Sequence, residues 1–341
     1  MVNIGVVGCG YWGPKHIRVC HELAEANLIA VCDLEESRLQ QVRNQYPYVE
    51  TVTDFRDLLK DNVDAIVIST PVNTHYQLAK EALLYDKHVL IEKPMTANYR
   101  EALELIDLAE KRNLVLMAGH TYEYHPAVDF LREMVSSGEL GDIYSIDAER
   151  LNLGLYRPDV NVLWDLAPHD ISIMLTILDA DPVVVSARGT HHVDAGVCDI
   201  AYLEILFSNG TMGHIHVSWL HPRKIREITI VGSKKMVVYD DVSETEKIHI
   251  YDKGLTAASA NNGFSTWTPN YRYGDVVIPF IANAEPLKQE CSHFVKCIAE
   301  GKRPRSDGWA GLKVSSILEA ADKSLANGGQ REKLALAMVT A

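Results

Sequence analysis

The chain has 341 residues, of which 47% are apolar, and 33 Lys and Arg stand against 46 Asp and Glu for a formal net charge of −13. That length favours two domains over one, the composition is that of an ordinary globular protein, and the negative balance argues against nucleic acid and anionic membrane surfaces as partners. No run of roughly eighteen apolar residues occurs, so no membrane span is expected. A strand pattern starts at once, so no signal peptide is expected. The six cysteines (9, 20, 32, 198, 291 and 297) are scattered without Cys-x-x-Cys or Cys/His metal spacing. They point to reduced, buried thiols, a cytoplasmic location and no metal.

Ile4, Val6 and Val7 read as a buried strand, and Gly8, Gly10 and Gly13, with Tyr11 and Trp12 between them, form Gly-x-Gly-x-x-Gly where the chain turns into a helix. Gly8 permits the tight turn, Gly10 lets backbone approach a pyrophosphate, and Gly13 lets the helix lie close to the strand. The helix N-terminus offers N–H groups and partial positive charge to phosphate. Asp33 closes the next apolar run, Leu28–Asp33, twenty residues after Gly13. Its carboxylate suits a ribose diol and repels a 2′-phosphate, so the expected cofactor is NAD rather than NADP. The plain alternative is a Gly-rich turn that binds nothing.

A polar helix is predicted over residues 35–45 and another over 55–60. Residues 63–69 read as a buried strand, Thr70-Pro71-Val72-Asn73 as a turn, and 74–85 as a helix. His88–Ile91 is a strand ending in Glu92-Lys93-Pro94, followed by a helix over 99–112 and a strand over 114–118. Alternation of this kind gives a doubly wound parallel sheet, assigned to a domain over 1–120. Beyond it, 128–136 is helical, and from 142 to about 252 strands dominate: 143–150, 183–189, 201–207, 212–219, 225–232, 235–239 and 247–251. One helix interrupts them near 167–178, and Ser208-Asn209-Gly210 is a hairpin signal. Residues 254–275 read as a long loop, 287–300 and 312–325 as helices, and the tail from Ala326 as frayed. Consecutive strands imply an antiparallel sheet in an α+β second domain over 121–341, with C-terminal helices free to pack back on the first.

Three further groups carry candidate chemistry. Thr70, Pro71, Asn73 and His75 lie at the carboxyl end of a strand, where open parallel sheets bind ligands; Asn73 or Thr74 reads equally as a helix cap. Glu92 and Lys93 end another strand, and Pro94 biases Lys93 toward extended backbone. A lysine there can stabilise a developing alkoxide, or the two can form a surface ion pair. In Trp164–Asp170, a helix starting near Ala167 would put Pro168 in its first turn. Asp165 and His169, four apart, would then share a face, with His169 able to take a hydroxyl proton; Asp165 also reads as an N-cap. His191-His192 reads as an isolated, solvated pair, the charges at 223–226 as the solvent face of a strand or a phosphate contact, and Trp267, Tyr271 and Tyr273 as loop packing or a subunit contact.

With these residues in place, the chain resembles the glucose–fructose oxidoreductase / inositol dehydrogenase / rhizopine catabolism (Gfo/Idh/MocA) family over essentially its full length. The markers are Gly8–Gly13, Thr70-Pro71 with His75, Glu92-Lys93-Pro94 and Asp165-x-x-x-His169. The resemblance implies that Lys93 and His169 act at the substrate with Asp165 nearby. It also implies a second domain with an open, mostly antiparallel sheet that forms a homodimer or homotetramer interface. Many members carry a Gly-rich stretch before the Asp-x-x-x-His motif, where this chain has Asp159-Val160-Asn161-Val162-Leu163. Gly10–Pro14, Leu163–Asp170 and Ser218-Trp219-Leu220 with Lys224 and Arg226 are similar to members working on nucleotide-linked sugars. Arg150, Asn152, Tyr156 and Arg157 are then candidate sugar-pocket residues. The expected function is an NAD(H)-dependent oxidoreductase interconverting hydroxyl and ketone on a UDP- or dTDP-linked hexose or hexuronate, commonly at C3. Oxidation of a free polyol such as inositol, a non-catalytic cofactor-binding regulator and a structural protein using its open sheet are the alternatives.

Overall fold

The computed structural model describes residues 1–154, 156–157, 160–256 and 270–334. In chain order the first elements are β1 (Val2–Val7), α1 (Gly13–Glu22), β2 (Ala26–Cys32), α2 (Glu36–Gln45), β3 (Glu50–Val52), β4 (Ala65–Ile68), α3 (Val72–Leu84), β5 (His88–Glu92), α4 (Tyr99–Arg112) and β6 (Leu116–Gly119). Then come α5 (Pro126–Ser136), β7 (Ile143–Leu153), α6 (Val162–Leu178), β8 (Pro182–Thr190), β9 (Ile200–Phe207), β10 (Met212–Ser218), β11 (Leu220–Gly232) and β12 (Met236–Asp240). The last are β13 (Ile248–Thr256), β14 (Asn270–Val277), α7 (Pro286–Glu300), α8 (Gly308–Ala326) and β15 (Glu332–Lys333). The chain divides into two compact units, Met1–His125 with Ala284–Glu319, and Pro126–Asn283 with the segment from Ala320 on.

The first unit is a six-stranded sheet in the order β3-β2-β1-β4-β5-β6, parallel throughout. All four residues of β4 are buried, as expected of a strand covered on both faces. The strand order reverses between β1 and β4, which sets the ligand crevice at their carboxyl ends. β3 has no counterpart among the predicted strands; it is a three-residue edge strand of Glu50, Thr51 and Val52, too short and polar to show a pattern. Leu287, Cys291, Phe294 and Val295 of α7 share one core with Ile4, Val6, Ile17 and Cys20. The glycine turn is fixed by crowding. Gly8 sits at φ +93°, and a Cβ on Gly13 would stand 1.9 Å from the Gly8 carbonyl oxygen, so α1 can lie on β1 only with glycine at that position.

The second unit is a nine-stranded sheet in the order β14-β13-β12-β11-β7-β10-β9-β8-β15. β7 and β10 pair in parallel, and the other neighbours are antiparallel. Along β9, Ala201, Leu203, Ile205 and Phe207 are buried, and α6 packs against β7, β9 and β10. The alternate residues Tyr202 and Leu206, with Met212 paired to Leu206 on β10, remain exposed, so one face is covered and the other open. The buried Arg150 of β7 clamps Asp170 of α6 with two bonds, Nε to Oδ2 at 2.9 Å and Nη2 to Oδ1 at 2.7 Å.

Three expectations need correction here. α6 starts at Val162, five residues before the predicted start, because Asn161 is its N-cap and accepts the Trp164 N–H. Pro168 therefore lies inside the helix and leaves the Trp164 carbonyl without its usual donor. The expected loop over 254–275 is partly strand: β13 and β14 pair from Thr256↔Asn270 to Ile250↔Val277. Tyr271 and Tyr273 stack at 6.2 Å on that hairpin, whereas Trp267 lies outside the described residues. The tail is ordered through β15, which joins the edge strand β8.

Two stability predictions follow from this packing. Gly13→Ala should lower the unfolding free energy by about 3 kcal/mol or more in a urea titration, while Gly10→Ala, whose Cβ would meet nothing within 4 Å, should stay within about 1 kcal/mol of the parent. Asp170→Asn should cost roughly 3 kcal/mol, because it strands the buried Arg150 charge; a calorimetric midpoint equal to the parent's would contradict the role given to that pair.

Candidate active site

The cofactor half of the chemistry lies at the carboxyl edge of the first unit's sheet. Open space stands where a Gly10 Cβ would be. The adjoining start of α1 has Trp12 as N-cap with no side-chain hydrogen bond. An uncapped helix start beside a side-chain-free stretch of backbone fits a dinucleotide pyrophosphate. The exposed Tyr11 and the neighbouring Trp12 flank Lys15, whose ammonium lies 3.9 and 4.1 Å from the two ring centroids; Lys15 is a cation at this loop that the motif reading missed. Asp33 is buried and faces the loop. Its Oδ2 accepts the Cys9 N–H at 2.5 Å and its Oδ1 the Glu35 N–H at 2.8 Å, so it both fixes the glycine turn and ends β2 where a ribose diol would lie. The Arg38 guanidinium stands 3.5 Å from Asp33 Oδ2. Burial, with the Asp33 charge adding to it, pushes the Cys9 and Cys32 thiols up to about 12, so both stay protonated at neutral pH.

Thr70 and Pro71 follow β4, and the helix after them starts at Val72 with no side-chain cap; Asn73 is already in its first turn. Thr74 Oγ1 donates to the Pro71 carbonyl at 2.7 Å and shares a hydroxyl contact of 2.7 Å with Thr70. His75 is fully buried, its Nε2 2.8 Å from the Thr70 carbonyl and its Nδ1 3.0 Å from the Pro94 carbonyl. Burial lowers its pKa, so the ring is neutral and donates to one of the two carbonyls. His75 thereby ties the Thr70-Pro71 turn to the loop that carries Lys93.

Glu92 and Lys93 part company at the end of β5. Glu92 is buried and turned inward, its Oε1 2.7 Å from Nε2 of the buried His16 on α1 and its Oε2 accepting the Lys93 N–H at 3.2 Å. Burial opposes the Glu92 charge, but the His16 bond, the His16 and Lys93 charges and the Lys93 N–H outweigh it and hold the carboxyl below its ordinary range. Lys93 is partly exposed, and the Lys93–Pro94 peptide is cis. Of the two sequence readings, the surface ion pair does not match Glu92, which is a buried anion accepting the Lys93 backbone N–H. His16 is out of reach of motif reading because it lies 76 positions from Glu92.

The second unit carries the remaining candidates. Asp165 and His169 stand one turn apart on α6, both partly exposed. Asp165 Oδ2 accepts the Trp219 indole N–H at 3.0 Å, and Arg157 Nη1 is 3.6 Å from Oδ1. The Tyr156 ring meets Trp219 edge-on at 5.3 Å. Asp165 is therefore a hydrogen-bonded carboxylate inside the helix, not its N-cap. Arg150, a candidate sugar-pocket residue, has its guanidinium turned to Asp170. Asn152 is half-buried on β7. Arg226 faces Arg150 in register on β11 and reaches Asp241 at 3.4 Å, while Lys224 is exposed where that register is interrupted. His192 is not an isolated residue: its Nδ1 lies 2.9 Å from Oδ1 of the buried Asp199, which also accepts the N–H groups of His192 and Val193. Among the described residues, no three His, Cys, Asp or Glu side chains are grouped to hold a metal ion, and no helix is long and apolar enough to cross a membrane.

Comparison with known proteins matches both parts of the chain. Residues 2–120 match the oxidoreductase family with an NAD-binding Rossmann fold, and residues 128–238 match the GFO/IDH/MocA C-terminal domain. A UDP-N-acetylglucosamine 3-dehydrogenase from Acidithiobacillus ferrooxidans is 30% identical over 92% of this chain and 94% of its own. A solved structure of that enzyme superposes with a TM-score of 0.79 at 28% identity, covering 95% of this chain and 97% of the other. A myo-inositol 2-dehydrogenase from Thermotoga maritima is 26% identical over 95% of this chain and 96% of its own. Together with the glycine turn, Asp33 and the Lys93 loop, these matches identify the chain as a member of the Gfo/Idh/MocA family of NAD-binding oxidoreductases.

Proposed function

We propose that the protein interconverts a ring hydroxyl and a ketone of a sugar linked to UDP or dTDP, at C3 of a hexose or hexuronate, using NAD(H). The observation that carries this reading is the anchoring of Lys93: Glu92 accepts its backbone N–H at the end of β5, in the strand edge where a dinucleotide binds in such sheets. The likeness to a UDP-N-acetylglucosamine 3-dehydrogenase supports the substrate class. When bound, the nicotinamide supplies the acceptor or donor of hydride. Lys93 donates a hydrogen bond to the substrate oxygen and stabilises its developing negative charge. His169 takes the hydroxyl proton in oxidation and returns it in reduction. Asp165, oriented by Trp219, holds the substrate hydroxyls beside it. Tyr156, Arg157, Asn152, Lys224 and Arg226 line the sugar-nucleotide end in this reading. A free polyol such as inositol is the second reading, supported by the myo-inositol 2-dehydrogenase relative.

A cytoplasmic enzyme assembled as a homodimer or homotetramer through the open face of the second unit completes the proposal. The exposed Tyr202, Leu206 and Met212 on that face support it. NAD is preferred over NADP in this reading because the Asp33 carboxylate would meet the 2′-phosphate. Arg38, 3.5 Å from Asp33, is the group that would favour the phosphorylated cofactor instead.

Lys93→Met should lower kcat on the true sugar nucleotide about 100-fold or more at unchanged cofactor affinity, read as absorbance of the reduced cofactor over a panel of UDP- and dTDP-sugars and inositol; near-parental turnover would sink the assignment. Fluorescence titration should show tighter binding of NADH than NADPH, and Asp33→Ser should narrow that gap by about tenfold or more; tighter NADPH binding by the parent would overturn the NAD preference.

A further inference from the structure

Behind Glu92 lies a buried group of titratable side chains that the proposed reaction does not use. Gly119, the last residue of β6, pairs with Glu92 across the sheet, so His120 follows directly beside the Lys93 loop. His120 is 1% exposed, and among the described residues neither of its ring nitrogens has a hydrogen-bond partner. The next residue, Thr121, donates its hydroxyl to Glu290 Oε2 at 2.9 Å. Glu290, on α7, is wholly buried, and its Oε1 has no hydrogen-bond partner among the described residues. Its neighbour Cys291 places Sγ 3.7 Å from Nδ1 of His16, the residue that holds Glu92 from the other side. The groups facing Glu290 are Glu92 at the end of β5, Thr121 and Glu123 on the turn after β6, and, through Cys291, His16 and Cys20 on α1.

Two ionised carboxylates cannot share such an interior, because each loses its hydration and they repel. Glu92 has the stronger claim to the charge, since it accepts from His16 and from the Lys93 backbone. Among the described residues Glu290 accepts from one hydroxyl, that of Thr121, and meets no cation, and burial followed by the Glu92 charge raises its pKa well above the ordinary carboxylate range. Burial likewise depresses His120, to about 4. We propose that Glu290 and His120 are positioning residues for Lys93: an uncharged acid and an uncharged imidazole packed behind Glu92, leaving its carboxylate as the single anion that fixes the Lys93 backbone. The inference rests on the catalytic reading of Lys93. It assigns α7, which carries no residue of the reaction, a part in holding the lysine.

The test uses the full chain and three variants. The parent should show the infrared carbonyl stretch of a protonated carboxylic acid at neutral pH, and Glu290→Gln should remove it. A group whose pKa is raised on folding contributes stability at low pH that is lost as pH rises through the folded value. The thermal midpoint of the parent should therefore fall relative to Glu290→Gln as pH rises above the ordinary carboxylate range. Glu290→Ala and His120→Ala should each lower kcat about tenfold or more with cofactor KM little changed, and Glu290→Gln should recover most of the loss and shift the alkaline limb of the kcat profile upward. Absence of the carbonyl band, or a midpoint difference independent of pH, overturns the uncharged acid. A band and a pH-dependent difference with parental kcat in both alanine variants overturn the positioning role. The infrared and thermal readouts need no turnover, so they separate this outcome from failure of the Lys93 reading, which Lys93→Met reports by itself.

Discussion

The hydrogen bond between His16 and Glu92 is the constraint on which the first unit's chemistry depends. His16 can reach Glu92 only because α1 lies close on the sheet, and α1 lies close only because Gly13 has no Cβ to strike the Gly8 carbonyl. Glu92 in turn holds the Lys93 N–H, and His75 holds the Pro94 carbonyl from the other side. A motif that reads as three separate signatures in the sequence is thus one mechanical assembly. The turn that prepares a phosphate cradle also positions the helix that anchors the lysine loop. The low dielectric of the interior strengthens each of these bonds and makes the loss of any one expensive.

The second unit solves the same problem with different parts. A carboxylate and an imidazole one turn apart are useful only if the helix that carries them is immobile. Arg150 and Asp170 lock α6 to β7 by a bidentate ion pair, and Asn161, Trp164 and Asp322 fasten its start. Trp219 then orients Asp165 through its indole N–H. The stretch that replaces the Gly-rich segment of other family members supplies Asn161, whose side chain begins the helix early.

Much of this was legible in the sequence because it is written in short-range patterns. Strand–helix alternation, the glycine spacing and the acidic end of β2 each report local physics, and together they specify a Rossmann sheet and its ligand edge. The consecutive strands of the second unit were equally plain, while its open face was implied by the family resemblance. What escaped reading is long-range or balanced between outcomes. His16 and Glu290 look like ordinary helix residues until the fold brings them to Glu92 and Thr121, and Trp219, although part of a quoted motif, gives no sign in the sequence that it meets Asp165. Arg150 reads as a pocket cation, but Asp170, 20 positions on and next to His169, claims it. Pro168 suggested a helix start, whereas Asn161 outweighed it: a side-chain cap at the N-terminus stabilises the preceding turn, and the proline costs one backbone bond within it.

The membership of α7 in the first unit bears on how the polypeptide matures. Leu287, Cys291, Phe294 and Val295 close the core formed by Ile4, Val6, Ile17 and Cys20, yet all of Pro126–Asn283 is synthesised between the two parts. A nascent chain emerging from the ribosome with only Met1–His125 carries an apolar flank on α1 that nothing covers, and Glu92 stands next to a gap rather than next to Glu290. The amino-terminal segment must wait, partly open and chaperone-accessible, until translation reaches the last helices. Competence to hold the lysine loop is therefore acquired late, when the carboxy-terminal helices arrive.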